Sequence, residues 1–360
     1  MFQKKSALKK QAEKAWEYIK KLFGLTITRI VLIALLILIA APLILFYFLK
    51  PLPRNDINYG VTFSSRYASS IGLDWKDAFI KTLDDLGAKN LRLIVYWDEV
   101  EHTPGEYNYS DIQWQLSEAD KRGANVILAI GRKVPRYPEC FEPGWWKGIN
   151  SETERDKELF KYIIRTVMEL QKHSSIKMWQ VENEPFFPFG ECLTIRKTTV
   201  DKEIQLVRAL DKRPILVQDS GEGGFWFPSY QMADYLGISM YRKIWYDFWG
   251  TLTRSAFYFK YPLAHWSYKI RAHMMGVPVD RIIVTELQAE PWGPAINTKL
   301  TEEEKSQTMS ITDFLSTITY AQQSGFKDFY FWGVEWWLWE KEQNNTPTYW
   351  EMAKALFNQK

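Results

Sequence analysis

Eight short apolar runs, each followed by a stretch with helical spacing, constrain this chain more than any other feature. The runs are Ile57–Phe63, Leu91–Trp97, Asn125–Gly131, Ile176–Glu182, Pro214–Asp219, Tyr235–Tyr241, Arg281–Glu286 and Lys327–Trp332. Several are continuously apolar rather than alternating, as in Val126-Ile127-Leu128-Ala129-Ile130. Continuous runs suit strands buried on both faces, the condition of a parallel sheet. Amphipathic stretches fall between them. Trp75–Leu86 and Ser110–Arg122 each end beside a glycine, and Ser151 with Glu154 and Thr301 with Glu304 have capping-box spacing. In the stretch after Thr301, the residues Ile311, Phe314, Leu315 and Ile318 trace one apolar face. Eight strands with intervening helices over residues 57–360 predict a (β/α)8 TIM barrel. A doubly wound sheet is disfavoured. No Gly-x-Gly-x-x-Gly follows the first strand, and Gly221-Glu222-Gly223-Gly224 reads as a loop.

The barrel is preceded by Ile30–Leu49, a run of 20 uncharged and mostly aliphatic residues. At ~1.5 Å per residue it matches a hydrocarbon core of ~30 Å. The run ends in Phe46-Tyr47-Phe48-Leu49-Lys50, a poor signal-peptidase site, so an uncleaved single transmembrane helix is expected. Eight Lys/Arg precede it, and the positive-inside rule puts the N-terminus in the cytoplasm and the barrel outside. Leu8, Ala12, Trp16, Ile19 and Phe23 recur at helical spacing among lysines, which suits either a helix on the anionic inner leaflet or a solvated basic tail. The expected organisation is a basic cytoplasmic segment 1–29, an anchor 30–49 in membrane lipid, a linker 50–56 and a catalytic domain 57–360.

Charge follows that division. Residues 1–54 carry ten Lys/Arg against two Glu, an excess of +8, and the remainder carries 36 Lys/Arg against 41 Asp/Glu, a net −5. A basic excess beside a membrane segment gives no reason to expect nucleic-acid binding. His102, His173, His265 and His273 show no metal-ligand spacing, and two Cys exclude a Cys-rich zinc module, so no metal and no cofactor are expected.

In a barrel, reactive side chains sit at the C-terminal ends of strands. The fourth run ends Trp179-Gln180-Val181-Glu182-Asn183-Glu184-Pro185, and the seventh ends Val284-Thr285-Glu286-Leu287-Gln288. Two carboxylates facing across a barrel mouth suit retaining glycoside hydrolysis, in which one attacks the anomeric carbon and the other protonates the leaving oxygen. Asn183-Glu184-Pro185 resembles the acid/base motif of glycoside hydrolase clan A, which includes cellulases, mannanases and β-galactosidases. Thr285-Glu286 resembles the clan's nucleophile motif. Trp97-Asp98-Glu99-Val100-Glu101 with Pro104-Gly105-Glu106-Tyr107 resembles its segment after strand two, and Phe331-Trp332-Gly333 its strand-eight end. Gln288 departs from the glycine of many cellulase-like members.

The resemblance implies metal-free hydrolysis of glycosides, usually β-linked, with a carbohydrate as substrate. It implies Glu184 as acid and then base, and Glu286 as nucleophile. Arg92 would favour the ionised form of Glu286, and Tyr241 would hydrogen-bond it. Asn183 would contact the sugar 2-hydroxyl, and Trp332 would form a sugar platform. Glu182, Glu222, Glu290 and Glu335 are competing acids, with Glu290 the main rival nucleophile. A transglycosylase would carry the same residues, and an idle sugar-binding barrel would have no need of paired acids.

Two further expectations concern loops. Cys140 and Cys192 follow strands three and four, neighbours at one barrel end; thiols tend to oxidise outside the cytoplasm, so the pair forms either a disulfide bracing that end or two separate thiols. Residues 244–276 concentrate ten aromatic rings interleaved with Arg254, Lys260, Lys269 and Arg271, just after Lys243. They form either a packed helix face or an excursion that touches lipid headgroups or walls the substrate groove.

Overall fold

The structure is a computed structural model describing residues 2–49, 53–192, 195–246 and 257–358. The chain divides into two compact units, Met1–Lys50 and Pro51–Lys360. The first is one helix, Phe2–Leu49, with Pro42 inside it. Within it, Glu13–Pro42 is long and apolar enough to cross a membrane, with a mean hydropathy of 2.7 over its most apolar window and none of that window buried. The expected basic segment and the expected anchor are thus parts of a single helix. Gly24 does not interrupt it, and the hydroxyls of Thr26 and Thr28 donate back to the carbonyls of Leu22 and Gly24 at 2.8 Å.

The second unit contains eight parallel strands. They are β1 (Asn58–Thr62), β2 (Asn90–Ile94), β3 (Asn125–Ile130), β4 (Ile176–Val181), β5 (Ile215–Asp219), β6 (Tyr235–Met240), β7 (Ile282–Gln288) and β8 (Asp328–Trp332). Each pairs with its chain neighbours, and β8 closes on β1 through Asn58↔Asp328 to Thr62↔Trp332. All eight apolar runs therefore became barrel strands. Ile127, Met178, Leu216, Ile283 and Tyr330 pack as a small apolar cluster. Room for the Tyr330 ring comes from Gly60, where a Cβ would lie 2.8 Å from that ring and 2.7 Å from the Asn90 carbonyl. The larger core joins strands to helices and includes Trp97, Trp179, Trp226, Trp336, Trp337 and Trp350, all fully buried. Much of the tryptophan excess is therefore packing rather than ligand surface.

The helices start where the caps predict. Ser151 accepts from Glu154 N, and Thr301 and Glu304 form a reciprocal capping box. One apolar face differs from expectation. In Ile311–Ser324 the buried stripe is Phe314, Thr317, Tyr320, Ala321 and Ser324, while Leu315 is 49% exposed. Phe314 is buried and Ile311 and Ile318 pack partly buried against the core, so the expected face holds except at Leu315.

The aromatic segment also splits. Lys243–Tyr246 and Phe257–Lys260 pair as an antiparallel hairpin on which Phe257 and Phe259 are exposed, whereas Tyr268 is buried in the core. Phe248, Trp249 and Arg254 lie outside the described residues.

Cys140 and Cys192 are joined as a disulfide with Cα atoms 5.3 Å apart, the first of the two alternatives. It ties the loop after β3 to the loop after β4 across 52 residues of chain. A loop of that length corresponds to ~4 kcal/mol of unfolded-state restriction in the chain-entropy account. Replacing both cysteines with serine should therefore lower the unfolding free energy by about 2–4 kcal/mol, measured by denaturant titration of the oxidised and doubly substituted proteins.

Candidate active site

Arg92 projects from the middle of β2 into the barrel, where it is completely buried. Its Nε donates to Gln180 Oε1 at 2.8 Å. Nη2 donates to Asn183 Oδ1 at 2.7 Å and to Gln218 Oε1 at 2.5 Å. Nη1 donates to Glu286 Oε1 at 3.0 Å and to the Thr285 carbonyl at 3.3 Å. One guanidinium thus joins the ends of β4, β5 and β7. Glu286, 5% exposed, also accepts from Gln218 Nε2 at 2.7 Å and from the Tyr241 hydroxyl at 3.1 Å.

A bulge in β7 makes this possible. Its neighbours step from Ile238↔Val284 to Ser239↔Glu286 on one side and from Phe329↔Val284 to Phe331↔Leu287 on the other. One extra residue is therefore accommodated in β7. In a regular strand Thr285 and Glu286 would point to opposite faces. Here both reach Gln218, with Thr285 Oγ1 donating to Gln218 Oε1 at 2.6 Å. Bulges of this kind re-aim side chains beside active sites.

Glu184 follows β4 with φ of +46°, a left-handed conformation unusual for a glutamate. Its side chain is 6% exposed, with the Ser239 hydroxyl 3.3 Å from Oε1. Burial pushes its carboxyl well above the usual range, and the negative Glu139 and Glu286 add to the rise against the Lys133 ammonium. Asn183 lies between the two glutamates in the network. Its Oδ1 accepts from Arg92 and from Gln180 Nε2 at 3.2 Å, and its Nδ2 donates to Glu139 Oε1 at 3.2 Å.

The other strand-end acids are all engaged elsewhere. Glu182 accepts from the backbone N–H groups of Arg132 and Lys133 at 2.9 and 2.6 Å, holding the loop after β3. This close approach requires Gly131, where a Cβ would stand 2.6 Å from the Glu182 carboxyl. Glu222 accepts from Tyr241 N at 2.8 Å and from the Tyr268 hydroxyl at 2.6 Å. Glu290 and Glu335 both bind Arg136, at 2.5 and 2.6 Å. Glu290, the rival nucleophile, thus has a different cation from Glu286. Gln288, the departure from the clan pattern, accepts from Arg242 N and Lys243 N at 2.9 and 3.1 Å and fixes the start of the hairpin.

Trp332 is 8% exposed, and the Arg136 guanidinium stacks 4.3 Å from its ring centroid. Tyr67 receives the same guanidinium at 3.9 Å. A sugar could therefore use at most the other face of Trp332. Sequence reasoning missed Gln180 and Gln218, Lys133, Arg136, Glu139 and Ser239. The two glutamines carried a signal, since each is a polar residue that directly follows a buried apolar run near the C-terminal end of its strand. The loop residues carried none, because the segment after β3 has no periodicity to read.

Paired buried glutamates at the mouth of a closed parallel barrel, one held by an arginine and a tyrosine, define the class of retaining (β/α)8 glycosidases. The matching family description is Cellulase (glycosyl hydrolase family 5), over residues 59–352. The chain belongs to glycosyl hydrolase family 5 and is a retaining glycoside hydrolase. No curated protein matches it. Among solved structures it is similar to a GH5_18 protein of Bifidobacterium longum subsp. longum, with 13% identity, 77% of this chain and 70% of that one covered, and a TM-score of 0.53. A variant of a GH5_18 protein from the same organism, in complex with Manb1-4GlcNAc, gives 13%, 77%, 68% and 0.53. A Streptomyces cattleya GH5_18 protein in complex with GlcNAc gives 13%, 79%, 70% and 0.52. At these identities the likeness is one of fold.

The buried carboxyls predict a pH-dependent stability. Burial raises Glu182 and Glu222 to about 7, and it raises Glu139 to about 8 against the opposing pull of Lys133. Between the unfolded value near ~4.5 and these folded values the native state binds more protons, so stability should fall as pH rises through that window. Denaturant midpoints at pH 5 and pH 8 should show the lower value at pH 8, and Glu222→Gln should reduce the difference.

Proposed function

We propose that the protein is a membrane-anchored glycosidase that cleaves β-linked glycosidic bonds by double displacement. Glu286 attacks the anomeric carbon while Glu184 donates its proton to the leaving oxygen. The glycosyl–Glu286 ester then loses the negative charge that helped hold Glu184 protonated. Glu184 becomes the base that takes a proton from the water attacking the anomeric carbon, the ester bond to Glu286 breaks, and the sugar leaves with its original anomeric configuration. Arg92 and Tyr241 orient the nucleophile, Asn183 faces the C2 position of the sugar, and Trp332 lends its uncovered face to apolar contact. The observation that carries the reading is the contrast between the two carboxyls. Glu286 has a buried cation and two further donors, while Glu184 is held protonated by burial and by negative neighbours.

The substrate is a carbohydrate. The names of the structural neighbours, with GlcNAc and Manb1-4GlcNAc bound, suggest short mannosyl and N-acetylglucosaminyl glycans as the first compounds to try. Residues 30–49 anchor the chain in lipid, and the eight Lys/Arg before them keep the N-terminus cytoplasmic and the barrel outside. Protease added to intact cells should then remove a barrel epitope, and protection of residues 53–358 would contradict this orientation.

The catalytic assignment is tested on aryl β-glycosides. Glu184→Gln should slow poor leaving groups by ~10²–10⁴-fold and spare the first step on activated ones. External azide should restore turnover of the activated substrates as a glycosyl azide of retained configuration. Glu286→Gly should abolish hydrolysis of both kinds, because no covalent intermediate forms. Full activity in both variants would remove the assignment.

A further inference from the structure

A third carboxylate lies against the two glutamates. Glu139 sits in the loop after β3, 5% exposed and at φ of +67°. Its backbone is held in place from both sides, with Glu139 N donating to the Arg136 carbonyl at 2.7 Å and Val134 N donating to the Glu139 carbonyl at 3.0 Å. The neighbouring Cys140 is fixed by the disulfide to the loop after β4. The carboxyl is therefore aimed by the fold rather than left to solvent. Through Asn183 it joins the Arg92 network that holds Glu286.

The bonds around Asn183 leave a specific gap. Its Oδ1 is taken by Arg92 and Gln180, so toward a sugar it offers only the second hydrogen of Nδ2. A sugar hydroxyl is both acceptor and donor. A partner that only donates leaves the hydroxyl's own hydrogen without an acceptor in a site closed to water. Glu139 supplies that acceptor. Its Oε1 already receives the first Nδ2 hydrogen of Asn183. Its Oε2 is ion-paired with Lys133 Nζ at 3.3 Å but accepts no well-formed hydrogen bond. Lys133 instead directs Nζ at the carbonyls of Glu184 and Phe187, both at 2.9 Å.

Resting on the glycosidase reading above, we propose that Glu139 is a substrate-binding residue that, with Asn183, grips the hydroxyl beside the anomeric carbon. The hydroxyl accepts from Asn183 Nδ2 and donates to a Glu139 oxygen. The site thereby selects glycosides whose glycone carries a free hydroxyl at C2. Lys133 is a positioning residue, since it holds Glu139 and the backbone of the acid/base loop at once.

The test uses the full chain and the aryl glycoside that it hydrolyses fastest, paired with the 2-deoxy form carrying the same leaving group. Wild type should prefer the 2-hydroxy substrate in kcat/KM. In Glu139→Gln that preference should fall by ~3–10-fold, the worth of one hydrogen bond. Comparing the preference of variant and wild type cancels the greater intrinsic lability of 2-deoxy glycosides. A merely structural role would lower both rates together and leave the preference unchanged, which would overturn the proposal. Glu139→Asp keeps the carboxyl and shortens its reach. It should lose part of the preference, and it replaces the Gln variant if that one fails to fold. A wild type that does not distinguish the two substrates overturns the inference while the glycosidase reading stands. Failure to hydrolyse any aryl glycoside would overturn both.

Discussion

Arg92 is the constraint on which the rest of the site depends. A guanidinium placed inside a barrel loses its hydration, and that loss is tolerable only where every donor finds an oxygen. Gln180, Asn183, Gln218, Glu286 and the Thr285 carbonyl provide those oxygens, from three different strands. The satisfaction is mutual. Without Arg92 the Gln180 oxygen would lose its donor and Glu286 its buried counter-charge, and breaking a buried ion pair of this kind typically costs about 3–5 kcal/mol. The network therefore sets the spatial relation of the β4 and β7 ends, which is the relation that the two glutamates need. The extra residue in β7 belongs to the same solution, because it lets Thr285 and Glu286 face one glutamine together.

Around that centre the remaining acids hold loops. Glu182 pins the backbone after β3, Glu222 ties the β6 end to Tyr268, and Glu290 and Glu335 share Arg136. The disulfide secures the β3 loop to the β4 loop from outside. A barrel mouth so rich in carboxyls is stable because most of them bind backbone N–H groups or a buried arginine. This arrangement leaves Glu184 with the Ser239 hydroxyl as its side-chain donor and no paired cation among the described residues, consistent with a group that must carry and release a proton.

The barrel was legible because its information is local and repeated. Continuous apolar runs such as Val126–Ile130 have few other uses, and all eight became strands. The positions of Glu184, Glu286, Arg92 and Tyr241 were legible because strand ends converge on one mouth. The bulge in β7 was not, since Val284-Thr285-Glu286 gives no sign of an inserted residue. The Arg136 guanidinium over Trp332 was equally hidden, because it comes from a non-repetitive loop nearly 200 residues away in the chain. Leu315 misled for a different reason. The helix carrying it approaches through Thr317, Ala321 and Ser324, whose small size matters more there than their hydropathy.

The central claim is that the carboxylate held by Arg92 and Tyr241 is the one that bonds to the sugar. It is tested most directly by trapping the covalent intermediate with an activated 2-deoxy-2-fluoro glycoside, followed by proteolysis and mass spectrometry of the labelled peptide. The account predicts a single glycosyl ester on Glu286. A label on Glu290, or on any other carboxylate, would contradict it.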